Sequence, residues 1–318
     1  MNEDAKYIAI LCGEYGDGYQ PITRAMFWKI CRENNDSIGN VIASGRHDVL
    51  ALLERSDSVA YAISKIEGMG IKVTTVLDDD FPPNLQKKLG NKCPPMLYYC
   101  GDPCINQHRY VGYVGSRNVD DADKAWTEKM VKKNMENRYG VVSGGAKGID
   151  QISTSYALRL GNYAIEFLPE GLEKRIRDRA TLSYVLEGKL LLYSTTSPLV
   201  KGTRNSFVAA AMGRNKFIYT QSSGTVVVKS GLEKGGTWAG ATEALKNNWC
   251  KVYVWDQKSY PGNQALIEMG GIGLDDDGGI SIDNSKIQAK EGSGTKENSK
   301  YEQITMFDAP EHTMASDP

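Results

Sequence analysis

Ten residues, Val141-Val142-Ser143-Gly144-Gly145-Ala146-Lys147-Gly148-Ile149-Asp150, limit the folds open to this chain more than any other stretch. They read as a short buried strand, a glycine-rich turn and a helix running on through Ala157 and Leu158. Strand, turn and helix in that order form one unit of an alternating α/β sheet. Three glycines within five residues leave the backbone N–H groups of the turn uncovered by side chains. The helix N-terminus at the same point adds a partial positive charge, so the turn suits a phosphate, and Lys147 supplies a full charge. Alone, the same residues also serve as a tight turn that binds nothing.

A second turn of the same kind lies one strand upstream, at Val111-Gly112-Tyr113-Val114-Gly115-Ser116-Arg117. An apolar strand again ends in glycine, and a small hydroxyl residue and an arginine precede a helix expected over 120–138. Loops after consecutive strands of a parallel sheet emerge on one edge, where open α/β sheets bind their ligands. Ser116, Arg117, Ser143 and Lys147 are therefore expected to face one crevice.

The rest of the chain supports that frame. From about residue 95 to 273, strands expected at 110–114, 140–143, 163–168, 189–194, 225–229 and 251–255 alternate with helices at 120–138, 149–160, 205–213 and 238–247. That order predicts an α/β fold, a Rossmann-like, doubly wound and mostly parallel sheet. Residues 1–94 read as a separate, mostly helical N-terminal domain, with helices over 23–33, 47–55 and 59–66, a strand at 71–76 and a rigid turn at Phe81-Pro82-Pro83. Pro94-Pro95 marks the entry to the sheet domain. Residues 274–318 are an acidic tail, too polar to bury a core and expected to be disordered.

Charge narrows the choice of partner. The formal net charge is −1, but the tail carries ten Asp and Glu against four Lys and Arg, so residues 1–273 hold 34 basic against 29 acidic residues. Between Lys174 and Lys216 nine basic residues stand against Asp178 and Glu187. A basic stretch in the domain that holds both anion turns favours a polyanion over a small metabolite. Six cysteines are too few for a disulfide framework, and Cys93, Cys100 and Cys104 have no histidine-rich neighbour to complete a zinc site. No charged-then-apolar leader and no run of ~18 apolar residues is present, so a cytoplasmic protein with no membrane partner is expected.

Familiar catalytic patterns are missing. There is no Gly-x-x-x-x-Gly-Lys-Ser/Thr sequence, and no Gly-x-Gly-x-x-Gly follows the first strand of the sheet, which argues against P-loop ATPase activity and NAD binding. His47, His108 and His312 are scattered, away from the expected site edge, which argues against a histidine-based hydrolase.

Five short motifs in order resemble the DNA-processing protein A family (DprA/Smf). Phe81-Pro82-Pro83-Asn84-Leu85 is similar to its Tyr-Pro-x-x-Leu, and both glycine turns have counterparts. Arg214-Asn215-Lys216 stands for its Arg-Asn-Arg. Gly235-Gly236-Thr237-Trp238-Ala239-Gly240-Ala241 stands where the family has Ser-Gly-Ser and a helix. The resemblance implies single-stranded DNA binding by the Rossmann-like domain, homodimerisation, delivery of DNA to a RecA-type recombinase, and neither catalysis nor a cofactor or metal. Carried onto this sequence, Arg117 and Lys147 contact phosphates, while Gly115, Ser116, Ser143, Gly144, Gly145 and Gly148 form the backbone nest. Arg214 and Lys216 extend the basic groove, and Asn215 ties the sheet edge. After Asp150 the family's Ala-x-Ala-His is absent, and the acidic tail stands where many members have a winged helix. The pathway, whether natural transformation, repair or defence against foreign DNA, stays open.

Two other functions compete. Gly235-Gly236 with Glu243 comes near the turn of LOG-type nucleotide phosphoribohydrolases, but the glutamate is one residue too far along, a rotation of about 100° on a helix. A sensor of a nucleotide-derived ligand would use the same crevice without turnover. For assembly, the apolar run Val226-Val227-Val228 with its neighbouring helix offers a pairing face. In the tail, Gln303-Ile304-Thr305-Met306-Phe307 resembles the short peptide that replication proteins insert into the polymerase sliding clamp, with Gln303 at the pocket edge and Met306 and Phe307 filling apolar subsites.

Overall fold

The computed structural model describes residues 2–201 and 204–276. Five helices come first: α1 (Glu3–Cys12), α2 (Arg24–Glu33), α3 (Ile38–Ala43), α4 (His47–Leu53) and α5 (Ser56–Glu67). Next are β1 (Lys72–Thr75), α6 (Pro83–Leu89), β2 (Met96–Cys100), β3 (Arg109–Val114), α7 (Asp121–Glu136), β4 (Tyr139–Ser143), α8 (Ile149–Arg159) and β5 (Ala164–Leu168). The described chain continues with α9 (Arg179–Leu186), β6 (Leu190–Ser194), α10 (Arg204–Gln221), β7 (Gly224–Val227), α11 (Gly235–Asn247), β8 (Lys251–Trp255), α12 (Pro261–Glu268) and β9 (Ile272–Leu274).

Among the described residues the strands form one nine-stranded sheet in the order β1-β2-β6-β5-β4-β3-β7-β8-β9. The seven strands from β6 to β9 run parallel, and β1 and β2 add an antiparallel edge. This is the expected Rossmann-like α/β sheet. β1 comes from the segment assigned to the N-terminal unit, yet pairs with β2 in the same sheet. β2 and β9 carry no clear strand signal in the sequence. The prolines before β2 punctuate the chain, but the five residues after them are all buried between β1 and β6.

Period-two alternation divides the core between the two faces of the sheet. Val111 and Tyr113 of β3 pack with Trp126 and Met130 of α7, whereas Tyr110 and Val114 pack with Phe217, Ile218 and Tyr219 of α10. The N-terminal helices close over the β2, β5 and β6 end, where Ile8, Phe27 and Ile30 share a core with Tyr98, Leu190 and Leu192. Helix starts follow ordinary rules: Asp120 and Asp123 form a reciprocal capping box on α7, and Pro83 opens α6, where a missing N–H costs nothing.

Two expectations need correction. The helix predicted to stop at Gly213 runs on to Gln221, because Gly213 stands where no other group crowds it and its break propensity costs only about 1 kcal/mol. Arg214, Asn215 and Lys216 are therefore helical and point about 100° apart. The run Val226–Val228 is fully buried in the sheet and cannot serve as a pairing face. Exposing it would forfeit roughly 1.5–3 kcal/mol for each large apolar side chain. The motif Gln303, Met306 and Phe307 lies outside the described residues.

Candidate functional site

The strand order reverses at β3, whose neighbours are β4 on one side and β7 on the other. At that switch point the C-terminal ends of the strands open into a crevice of about 850 Å³. Gly115 to Asn118 after β3, Ala146 and Asp150 after β4, and Gly235 to Ala239 at the start of α11 line it, with α10 as a further wall.

The two glycine turns touch. Ile149 donates its backbone N–H to the Ser116 carbonyl at 3.3 Å. Gly148 has φ +83°, and a Cβ there would lie 2.2 Å from the same carbonyl oxygen. A side chain at this position would part the turns, so the glycine is set by close approach as much as by conformation. The turn also uses some of its own donors: Gln151 N–H bonds Ala146 O, and Ala146 N–H reaches Asp150 Oδ2 at 3.4 Å. Among the described residues no protein acceptor takes the N–H of Gly145, Lys147 or Gly148. Arg117 and Lys147 are exposed and form no ion pair within the described residues.

Other expected site residues sit elsewhere. Ser143 is fully buried and donates its hydroxyl to Tyr113 O at 2.7 Å, holding β4 to β3 rather than meeting a ligand. Arg214 does not extend an open groove. It is 6% exposed, its Nη2 lies 3.6 Å from Asp150 Oδ2, and its guanidinium fills the space a Cβ on Gly144 would take. Burial raises the Asp150 carboxyl above its ordinary range against the pull of Arg214, and burial lowers Arg214. Beside this pair, fully buried Glu166 accepts two bonds from Arg175, at 3.1 and 3.2 Å. Asn215 donates to Gly236 O at 3.0 Å and so pins the start of α11, not the sheet edge. Lys216 faces away from the crevice, into a separate cleft.

The crevice includes residues that the sequence reading did not assign. Lys229 and Lys234 stand at its rim, and Trp238, Val208 and Met212 give it an apolar side. The Gly235–Ala241 motif signalled that wall without showing which side chains it presents. Lys229 is neutralised by Asp123 at 2.7 Å and Asp120 at 3.6 Å. Glu243, on which a phosphoribohydrolase would depend, does not line the crevice. It lies 4.0 Å from Lys92. His108 directly precedes β3, at the opposite end of the strand from the crevice, and stacks on Tyr163 at 4.2 Å.

The family model described as DNA recombination-mediator protein A matches residues 72–274, which span the sheet and both glycine turns. This chain belongs to that family. Among relatives of the DNA recombination-mediator protein A family, the chain is 27% identical over 199 residues to the DNA processing protein DprA of Streptococcus pneumoniae, covering 60% of this chain and 66% of the relative. It is 28% identical over 155 residues to the DprA of Bacillus subtilis, covering 48% of this chain and 50% of that protein. The chain thus spans about two thirds or less of these relatives' lengths. In structure it is similar to the Streptococcus pneumoniae DprA, with a TM-score of 0.66 at 21% identity over 85% of this chain and 94% of the other. The Helicobacter pylori DNA processing protein A, whose structure is described for its single-stranded DNA binding mode, gives a TM-score of 0.52 at 22% identity, over 64% and 92% of the two chains. These likenesses establish the fold. Among the described residues no helix is long and apolar enough to cross a membrane.

Proposed function

We propose that this chain binds single-stranded DNA in the crevice at the β3–β7 switch point and acts in DNA processing or recombination. One observation carries the reading: two contiguous glycine turns present Arg117 in the crevice lining and Lys147 next to the lining residue Ala146, both exposed and, among the described residues, without carboxylate partners. Phosphates recur every few ångströms along a strand, so paired anion turns suit it better than a single terminal phosphate. Trp238, Val208 and Met212 supply the apolar surface on which an unpaired base packs. Binding without turnover fits the placement of Glu243. The DNA-binding role falls to the sheet domain, in a cytoplasmic protein.

Arg117→Ala and Lys147→Ala are each expected to weaken oligo-dT binding and to lower the salt slope by roughly 0.7 for each phosphate no longer neutralised. Fluorescence titration across a salt series measures both. Unchanged affinity in two folded variants would remove the site, and hydrolysis of AMP would point to the phosphoribohydrolase instead.

The same reading includes pairing of two copies, delivery of the strand to a RecA-type recombinase, and a sliding-clamp contact through Gln303, Met306 and Phe307. A peptide spanning residues 300–310 is expected to bind purified clamp and to lose binding with Gln303→Ala or Phe307→Ala. Binding indifferent to both changes would discard the clamp.

A further inference from the structure

α10 separates two cavities. Val208, Met212 and Asn215 line the crevice, whereas Ala210, Gly213 and Phe217 line a cleft of about 440 Å³ on its other side. That sorting follows from 3.6 residues per turn. The cleft runs between α10 and the loop joining α1 to α2, with Pro94, Pro95 and Met96 closing one side. Its size is within the range of small-molecule sites.

Two cations, Arg24 and Lys216, line this cleft, and the Lys216 ammonium lies 5.6 Å from the Phe217 ring centroid. Among the described residues neither the Arg24 nor the Lys216 side chain makes a hydrogen bond or an ion pair with the protein. Burial, reinforced by the like charges of Arg24 and Lys92, brings the Lys216 ammonium down to about 8, while Glu243 and the Cys93 thiol act in the opposite direction. The carboxylate on the lining, Glu14, is exposed. The ten-residue helix α2 starts here behind its Thr23 cap, so its positive end adds to the field. A separate observation points to an absent acceptor. Arg214 lines this cleft as well as the crevice, is 6% exposed, and its Nε–H is buried with no hydrogen-bond partner among the described residues. Its Nη2 is paired with Asp150, while Nε keeps an unmet donor beside the cleft.

We propose that the cleft is a second anion site, in which Arg24 and Lys216, with Arg214 behind them, hold a phosphoryl group carried by a free nucleotide or by the backbone of a strand. Pro94, Pro95, Met96 and Phe217 give the attached sugar and base an apolar surface. The site does not depend on the crevice binding DNA.

Calorimetric titration of the full chain with thymidine 5′-monophosphate and, separately, with oligo-dT tests it. Arg24→Ala/Lys216→Met is compared with Arg117→Ala, and Arg24→Gln serves as a milder rim variant should the double variant melt early. Monophosphate binding at least tenfold weaker in the double variant, or clearly weaker in Arg24→Gln, and retained in Arg117→Ala supports a nucleotide source. If only oligo-dT binds, and tenfold more weakly in the double variant, the source is a strand and the site stands. Affinities unchanged in the double variant, or no binding of either probe to the unmodified chain, overturn the proposal. Monophosphate binding abolished only in Arg117→Ala belongs to the crevice and overturns it as well.

Discussion

Alanine at Gly148 is expected to destabilise the chain by several kcal/mol and to abolish oligo-dT binding in whatever fraction still folds. Two costs combine. A side chain at φ +83° forces a conformation worth roughly 1–3 kcal/mol of strain. The new Cβ would also meet the Ser116 carbonyl at 2.2 Å and the Arg117 backbone at 2.8 Å, and crowding of this kind costs about 1–3 kcal/mol more. Backbone cannot swing aside as a flexible side chain can, so relief requires the two turns to separate. Gly161→Ala is the control, since Gly161 also has a positive φ, +76°, but nothing stands within 4 Å of its Cβ direction. Urea unfolding should show a clearly larger loss at 148 than at 161. Equal losses would mean that the contact between the turns contributes nothing.

The second large effect is expected at Arg214. Arg214→Met keeps the bulk of the stem but leaves Asp150, itself 6% exposed, as a buried carboxylate without its cation, a loss of about 3–5 kcal/mol. Asp150→Asn in the same chain should restore most of it, because the uncompensated charge is then gone. The pH dependence has a definite sign. Burial already raises the Asp150 carboxyl, and removing Arg214 raises it further, so the folded state of the variant binds a proton more tightly than the unfolded chain. Its deficit is therefore largest near neutrality and shrinks as the pH falls towards about 5. Thermal melts at the two pH values check this, and a pH-independent deficit would show that Arg214 acts by packing alone.

Much of this architecture was legible in the residues because local signals agreed. Val141 to Asp150 reads as strand, turn and helix at every level, and both glycine turns arrive on one edge because parallel strands leave no alternative. What failed depended on distant neighbours. Gly213 looks like a helix stop, yet tertiary packing of Phe217, Ile218 and Tyr219 carries α10 through it. The consecutive residues Arg214, Asn215 and Lys216 read as one basic motif, but a helix sends them to a buried ion pair, a neighbouring helix start and a second cleft. Ser143 belongs to a motif that points to ligand contact, and only the proximity of Tyr113 O shows it to be structural. Val226 to Val228 carries no mark of which strands will cover it.

The position of β3 in the sheet also sets a schedule for biosynthesis. One edge of β3 is covered soon after it is made, when Val111 meets Val141, but the other waits for Val114 to meet Val227. At ribosomal speeds that interval is on the order of ten seconds. Throughout it the nascent chain carries an unpaired strand bearing Val111 and Tyr113, and its partner is parallel, so no hairpin can cover it early. Whether the segment from β3 to α10 avoids sticking to other chains in the meantime is thus tied to the arrival of β7.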